Sequence, residues 1–213
     1  MKSYFFKAWM IVLGRARFFV FRKEWKRKYH DSFTQPCQLM DIDRISIGRC
    51  SYGSIEAISW GAQNESLSIG AFVSIARNVV FILGGNHDSG RISSYPFKAM
   101  LCGATIEATS KGPIVVEDDV WIGMNSIVLS GVRLARGSVI GAGSVVTKDT
   151  EPYSINCGNP ARLVRKRFDD ALIGELMRID YGRISESFIK SNLSLLYGDV
   201  SVDSIRKIIE LYS

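Results

Sequence analysis

The sequence predicts a mainly β chain, a parallel β-helix with one excursion loop, preceded by a basic segment and followed by α-helices. Three observations predict it. A six-residue repeat runs through the middle of the chain, the repeat breaks between Gly84 and Pro113, and after Phe168 the apolar spacing becomes helical.

From Val116 to Thr150 the first position of each hexad is Val116, Ile122, Val128, Leu134, Ile140 or Val146, without an exception to aliphatic character. The fifth positions, Val120, Ser126, Val132, Ser138, Ser144 and Thr150, are small or β-branched, which suits a second inward site with little room. Periods of 3.6 or 2 do not produce this pattern. A stack of hexads, each giving one short strand and one turn, does. Ile69, Ile75 and Phe81 keep the same spacing in their own frame, while Ile47 and Ile55 fit only after shifts, as terminal coils do. The β-helix is therefore expected over residues 42–163, with residues 84–113 expelled from the coils as a loop of the long, non-repeating kind that carries function.

Residues 164–213 form a helical extension in this reading. Leu172, Leu176 and Ile179 have helical spacing, as do Ile205, Ile208, Ile209 and Tyr212, and Ser201 with Asp203 provides a cap for the last helix. These helices are expected to cover the open end of the solenoid, where strand edges and core would otherwise meet water.

Residues 1–41 are a basic, aromatic segment. Within the first thirty residues lie nine Lys/Arg and one Glu, so the net charge of +6 belongs to this end and the body is near neutral. That distribution argues against nucleic acid as the partner. Arg22, Lys23, Lys26, Arg27 and Lys28 alternate with Phe18, Phe19, Phe21 and Trp25, and Lys2 and Lys7 with Phe5, Phe6 and Trp9, a mixture that suits peripheral contact with an anionic membrane. Interruptions at Lys7, Gly14, Arg15 and Arg17 leave the apolar run short of a spanning helix. A helix packing its apolar face on the body is the equal alternative. The four cysteines show no C-x-x-C pair and the chain no cleavable signal peptide, which fits a reducing cytoplasm, with the thiols as small buried apolar residues and Cys102 left out of the mechanism.

Five ordered stretches carry a family resemblance: Phe81-Ile-Leu-Gly-Gly-Asn-His87, Arg91-Ile-Ser-Ser-Tyr-Pro-Phe97, Gly112 to Gly123, Ile140 to Asp149, and Gly158-Asn-Pro-Ala-Arg162. In them the chain resembles the hexapeptide-repeat acyltransferases, within these the xenobiotic acetyltransferase group and its polysaccharide O-acetyltransferase branch. The resemblance implies left-handed coils, an exception to the usual crossover, and a homotrimer. It implies acetyl-CoA as donor, with no metal, and a sugar hydroxyl of a cell-surface polysaccharide or its precursor as acceptor. Trp25-Lys-Arg-Lys28 and Ile179-Asp-Tyr181 resemble the polysaccharide enzymes, whereas the tail of the antibiotic-modifying relatives is tryptophan-rich. A xenobiotic alcohol of chloramphenicol or streptogramin type is the alternative acceptor.

Acetyl transfer to an alcohol needs a base for the hydroxyl proton and a stabilised oxyanion. Of the two histidines, His30 lies in the basic segment and His87 in the excursion loop, so His87 is the candidate base. The resemblance places a carbonyl or carboxylate on its other ring nitrogen, which the sequence does not identify. Asn86, Tyr95 and Phe97 are the candidate acceptor residues. By resemblance Ala142, Thr147, Lys148, Arg162 and Arg165 hold the coenzyme, the cations meeting its phosphates. Trp121 either flanks the pantetheine arm or packs between coils. Two histidines cannot supply the three ligands of a metal-dependent hydratase within one subunit.

Overall fold

The computed structural model describes the backbone of residues 2–212 and the side chains of residues 12–212. Helix α1 (Lys2–Lys28) leads into β1 (Phe33–Pro36) and a 3-10 turn at Ile42–Arg44. Strands β2 (Ile45–Ile47), β3 (Tyr52–Ile58), β4 (Leu67–Ile69), β5 (Ser74–Ile75) and β6 (Val80–Ile82) wind up to the excursion loop, which holds the short helix α2 (Phe97–Leu101). Beyond the loop come β7 (Ile114–Val116), β8 (Trp121–Ile122), β9 (Ile127–Leu129), β10 (Arg133–Leu134), β11 (Val139–Ile140) and β12 (Val145–Val146). The chain ends in β13 (Ser154–Gly158), β14 (Ala161–Lys166), α3 (Asp170–Leu176), α4 (Glu186–Ser191), α5 (Leu193–Leu196) and α6 (Val202–Tyr212).

The strands stack in parallel on three faces. One face holds β2, β4, β7 and β10; the second holds the start of β3, then β5, β8, β11 and β13; the third holds the end of β3, then β6, β9 and β12. One coil is three hexads, so Val116 stacks on Leu134, Ile122 on Ile140 and Val128 on Val146. The block before the excursion loop rejoins the same register, with Ile69 beside Val116, Ile75 beside Ile122 and Phe81 beside Val128. The loop is thus inserted at one corner without a register slip, which would have turned these side chains outward. All six first-position aliphatics of the main block are buried, and each contributes roughly 1.5–3 kcal/mol by leaving water. The fifth positions are buried too, Thr150 alone being partly exposed. The inward serines are satisfied locally: Ser126 Oγ donates to the Gly123 carbonyl (2.8 Å) and Ser144 Oγ to that of Gly141 (2.6 Å).

Corners are turned in the left-handed conformation three residues past an aliphatic position, at Phe72 (φ 58°), Asn78 (59°), Asp119 (59°) and Asn125 (59°). Asn and Asp tolerate it because a short polar side chain bonds locally. Asn78 Nδ2 also donates to Asn125 Oδ1 one coil away (3.0 Å). Phe72 is held there by the Tyr181 ring (centroids 5.7 Å) and the Arg49 guanidinium over its face (5.5 Å).

Those contacts correct the expected place of the C-terminal helices. They run along one corner of the solenoid instead of covering its open end, touching Arg49, Phe72, Arg136 and Tyr153 at successive levels. Arg136 donates to the carbonyls of Met177 and Ile179 (both 3.0 Å) and to Asp118 (3.1 Å), and Ile179, Ile184 and Ile205 form a small core over Phe72. Ser201 Oγ accepts from Ser204 N (3.1 Å), capping α6 as expected. The N-terminal end is closed by α1 and the turn after it, whose Phe21, Trp25 and Tyr29 join the main core; at the far end Ala161 of β14 packs on it. Trp25 Nε1 donates to Thr34 Oγ1 (3.2 Å) and Tyr29 Oη to the Ile45 carbonyl (2.6 Å). The packed-helix alternative therefore holds for the second half of α1, while the side chains of Lys2, Phe5, Phe6, Lys7 and Trp9 lie outside the described residues.

The sheet begins at β1, which pairs with β3 from Phe33 to Pro36, ahead of residue 42, because a strand without hexad periodicity still completes the terminal coil. The cysteines are unpaired, but Cys37, Cys102 and Cys157 are exposed instead of buried, lying outside the hexads that build the core. Among the described residues no helix is long and apolar enough to cross a membrane.

Candidate active site

The excursion loop leaves the third face at Leu83 and returns to the first at Ile114. Its two legs are zipped by an antiparallel bridge between Asn86 and Thr109, each backbone N–H donating to the other's carbonyl (2.9 and 3.0 Å). The Asn86 side chain donates to the Thr109 carbonyl and to Ser130 Oγ of the coil below (both 3.2 Å), pinning the base of the loop to the solenoid. The amide nitrogen is thus committed beneath the cavity, and Asn86 is not among the residues of the cavity wall.

His87 projects from this base into a cavity of about 960 Å³, open to solvent, whose wall includes Tyr95, Phe97, Asp88, Arg91 and Glu107. Its Nδ1 lies 2.6 Å from the backbone carbonyl of Ser94. A carbonyl only accepts, so Nδ1 carries the proton and Nε2 keeps its lone pair free to take another. The Tyr95 and Phe97 rings make a tilted pair (centroids 5.1 Å) on the wall. Arg91 Nε donates to Asp88 Oδ2 (2.7 Å), and that hydrogen bond, with one from Gly90 N, holds the Asp88 carboxyl below its usual range. Aromatic faces and ionised hydrogen-bonding groups therefore surround one accessible imidazole nitrogen. Cys102 is in the same loop, yet the His87 ring bonds to Ser94 and not to it.

The expected coenzyme residues divide into groups. Lys148 and Arg162 come together at a pocket of about 170 Å³ on the last coils, where neither has a carboxylate partner among the described residues. Asp149 and Glu151 line the same pocket, so the two cations suit phosphate groups through directed hydrogen bonds more than through net charge. Thr147 is exposed and follows β12 directly, at the corner from which the excursion loop leaves two coils earlier. Ala142 is exposed at the corner between the second and third faces, and Arg165 is on β14 opposite Ile155. Trp121 stands on the second face between Ser74 and Val139 and is 55% exposed. The loop that carries His87, by contrast, leaves the third face and returns to the first. Among the described residues no cluster of His, Cys, Asp and Glu could hold a metal ion.

Sequence reasoning missed Ser94 and Ser130. Ser94 acts through its backbone carbonyl, which no side-chain pattern encodes, and Ser130 is one hydroxyl of many in a repeat rich in serine.

Known proteins resemble this chain along the solenoid. The model for the family described as bacterial transferase hexapeptide (six repeats) matches residues 113–148. The chain is 39% identical over 148 residues to a probable macrolide acetyltransferase of Lysinibacillus sphaericus, covering 66% of this chain and 82% of that one. It is 39% identical over 139 residues to a chloramphenicol acetyltransferase of Klebsiella aerogenes, covering 62% of this chain and 66% of the relative's length. The crystal structure of a hexapeptide-repeat-containing acetyltransferase from Vibrio cholerae superposes with a TM-score of 0.53 at 28% identity, over 68% of this chain and 77% of that one.

Proposed function

This chain belongs to the hexapeptide-repeat acetyltransferase family, and from that premise we propose that it moves an acetyl group from acetyl-CoA to a hydroxyl of a sugar, with His87 as general base. Parallel coils in this family imply a left-handed β-helix. Acetyl-CoA is the activated acyl donor: Lys148 and Arg162 take its phosphates, while Ala142, Thr147, Arg165 and Trp121 line the path of its arm. His87 Nε2 accepts the hydroxyl proton as the acceptor oxygen attacks the thioester carbonyl, and the imidazolium returns it to the departing thiolate. Ser94 keeps the ring in the competent tautomer throughout.

The observation that carries the sugar reading is the cavity wall, where the Tyr95–Phe97 pair offers apolar faces and Asp88, Arg91 and Glu107 offer hydrogen bonds beside His87. The stretches that resemble polysaccharide enzymes carry less weight, because Trp25 plugs the core and Tyr181 packs on Phe72. A second reading, acetylation of an antibiotic alcohol, is favoured by the two relatives, a probable macrolide acetyltransferase and a chloramphenicol acetyltransferase. Assaying acetyl transfer to saccharide fragments beside chloramphenicol and a macrolide decides between them. Transfer to a saccharide and to neither drug supports the first; efficient transfer to a drug and to no saccharide replaces it with the second.

The working form is a homotrimer. The placement of Trp121 and the His87 loop on different faces of one solenoid supports this, because a neighbouring copy can set Trp121 against another chain's cavity and cyclic symmetry repeats the site three times. Peripheral contact with an anionic membrane runs through α1, whose outer side carries exposed Val12, Phe19 and Val20 beside Lys23 and Arg27. Such contact would place the acetylation of a surface-glycan precursor at the membrane face of the cytoplasm.

A further inference from the structure

His87 stands two residues beyond the Gly84–Gly85 pair, and what lies under that pair is separate from both the cavity wall and the coenzyme groups. Gly85 is in the left-handed region (φ 83°), and a Cβ built on it would sit 2.8 Å from Trp60 Cε3. A Cβ on Gly84 would overlap the Glu65 carboxyl. The loop therefore leaves the solenoid lying flat on Trp60 and Glu65, an approach that only glycine permits.

Glu65 is 2% exposed, and a buried carboxylate is costly unless hydrogen bonds and a countercharge satisfy it. It accepts from the Ser59 hydroxyl and from the backbone N–H groups of Trp60 (3.0 Å) and Gly61 (2.9 Å), which closes the turn over residues 59–65. Arg44 Nη1 lies 3.9 Å from its Oε2 and donates to the Ala62 carbonyl (2.5 Å), tying the turn to the first coil. Burial pushes the carboxyl upward, but the hydrogen bonds from Ser59, Gly61, Trp60 and Ala62 outweigh it and hold the group below its ordinary range. Leu83 N donates to the Ile58 carbonyl (2.9 Å), so the strand entering the diglycine pairs with the strand entering this turn.

We infer that Glu65, through the turn it closes and the Trp60 ring, is a positioning residue for His87. It fixes the height and direction at which the loop departs, and so where Nε2 points in the cavity. The inference rests on the reading of His87 as the base. A base displaced by about 1 Å can lose on the order of a hundredfold in rate.

The test compares Glu65→Gln, Trp60→Ala and His87→Ala in the full-length enzyme, using acetyl-CoA and the acceptor found in the panel above. The His87 ring is followed by NMR with 15N-labelled histidine in a His30→Gln background. Glu65→Gln is expected to lower kcat about tenfold or more while KM for acetyl-CoA stays within about twofold, and to shift the His87 Nδ1 signal away from its hydrogen-bonded position. Trp60→Ala, which leaves the carboxylate network intact, is expected to act in the same direction and serves if Glu65 variants do not fold. Lowered thermal stability with an unchanged kcat and an unchanged His87 signal would make Glu65 purely structural and overturn the inference. Full activity in His87→Ala would instead overturn the base assignment, and the NMR signal alone would then decide whether Glu65 orients the loop.

Discussion

The imidazole of His87 is held by the carbonyl of Ser94, 2.6 Å from Nδ1, seven residues further along the same loop. The excursion loop thus carries both the candidate base and the group that selects its tautomer, and the solenoid beneath supplies only the platform. Changes that loosen the loop should therefore affect turnover before they affect donor binding.

Lys148→Ala and Arg162→Ala should each raise KM for acetyl-CoA about tenfold, the loss of one charge-assisted contact of about 1.4 kcal/mol, with kcat little changed. Steady-state kinetics with acetyl-pantetheine, which lacks the nucleotide phosphates, provides the control. An equal rise in KM for that donor would mean that the cations do not read phosphate.

Arg136→Ala removes the pair with Asp118 and two hydrogen bonds to the carbonyls of Met177 and Ile179. It should cost about 1–3 kcal/mol and loosen the C-terminal helices from their corner. Denaturant titration with hydrogen exchange over residues 170–212 checks this. Unchanged protection there would show that the apolar cluster of Ile179, Ile184 and Ile205 holds the extension by itself.

Acid should weaken the fold through Glu65. A carboxyl whose pKa is lower in the folded chain than in the unfolded one contributes stability above the ordinary carboxylate pKa of about 4.3, and that contribution is lost as pH falls through its folded value. Thermal unfolding followed from pH 7 downward should show a smaller acid-side drop in Tm for Glu65→Gln than for the wild type. An identical profile would mean that Glu65 does not govern it.

Light scattering should return about three times 23.7 kDa. A monodisperse, active monomer would remove the argument for a shared site. For the membrane contact, a truncation must stop before Phe18, because Phe21, Trp25 and Tyr29 close the solenoid core. Removing residues 1–16 should weaken low-salt sedimentation with anionic vesicles, and adding Phe19→Ser, Lys23→Gln and Arg27→Gln should abolish it; sedimentation unchanged by both steps would refute the tether.

The solenoid was legible because its period is enforced at every coil: Phe81 and Val128 stand side by side although the excursion loop lies between them in sequence. The same periodicity exposed the loop that carries His87. The position of the C-terminal helices was not legible, since an amphipathic pattern reports an apolar face but not the surface it meets, here a corner built around a left-handed Phe72. One signal was present and left two readings open. Phe18, Phe21, Trp25 and Tyr29 lie three or four residues apart, the stripe of a helix packed on a core, yet their basic neighbours drew attention to membranes. Glu65 offered no signal, because its environment is assembled from backbone N–H groups of a turn that the hexads do not reach.

The most direct test of the account is the kinetics of His87→Ala alongside calorimetric binding of coenzyme A. Turnover is predicted to fall at least about a hundredfold, the lower range for loss of a general base, with coenzyme A affinity essentially unchanged. Activity within a few-fold of wild type would contradict the assignment and leave His87 as an ordinary loop residue.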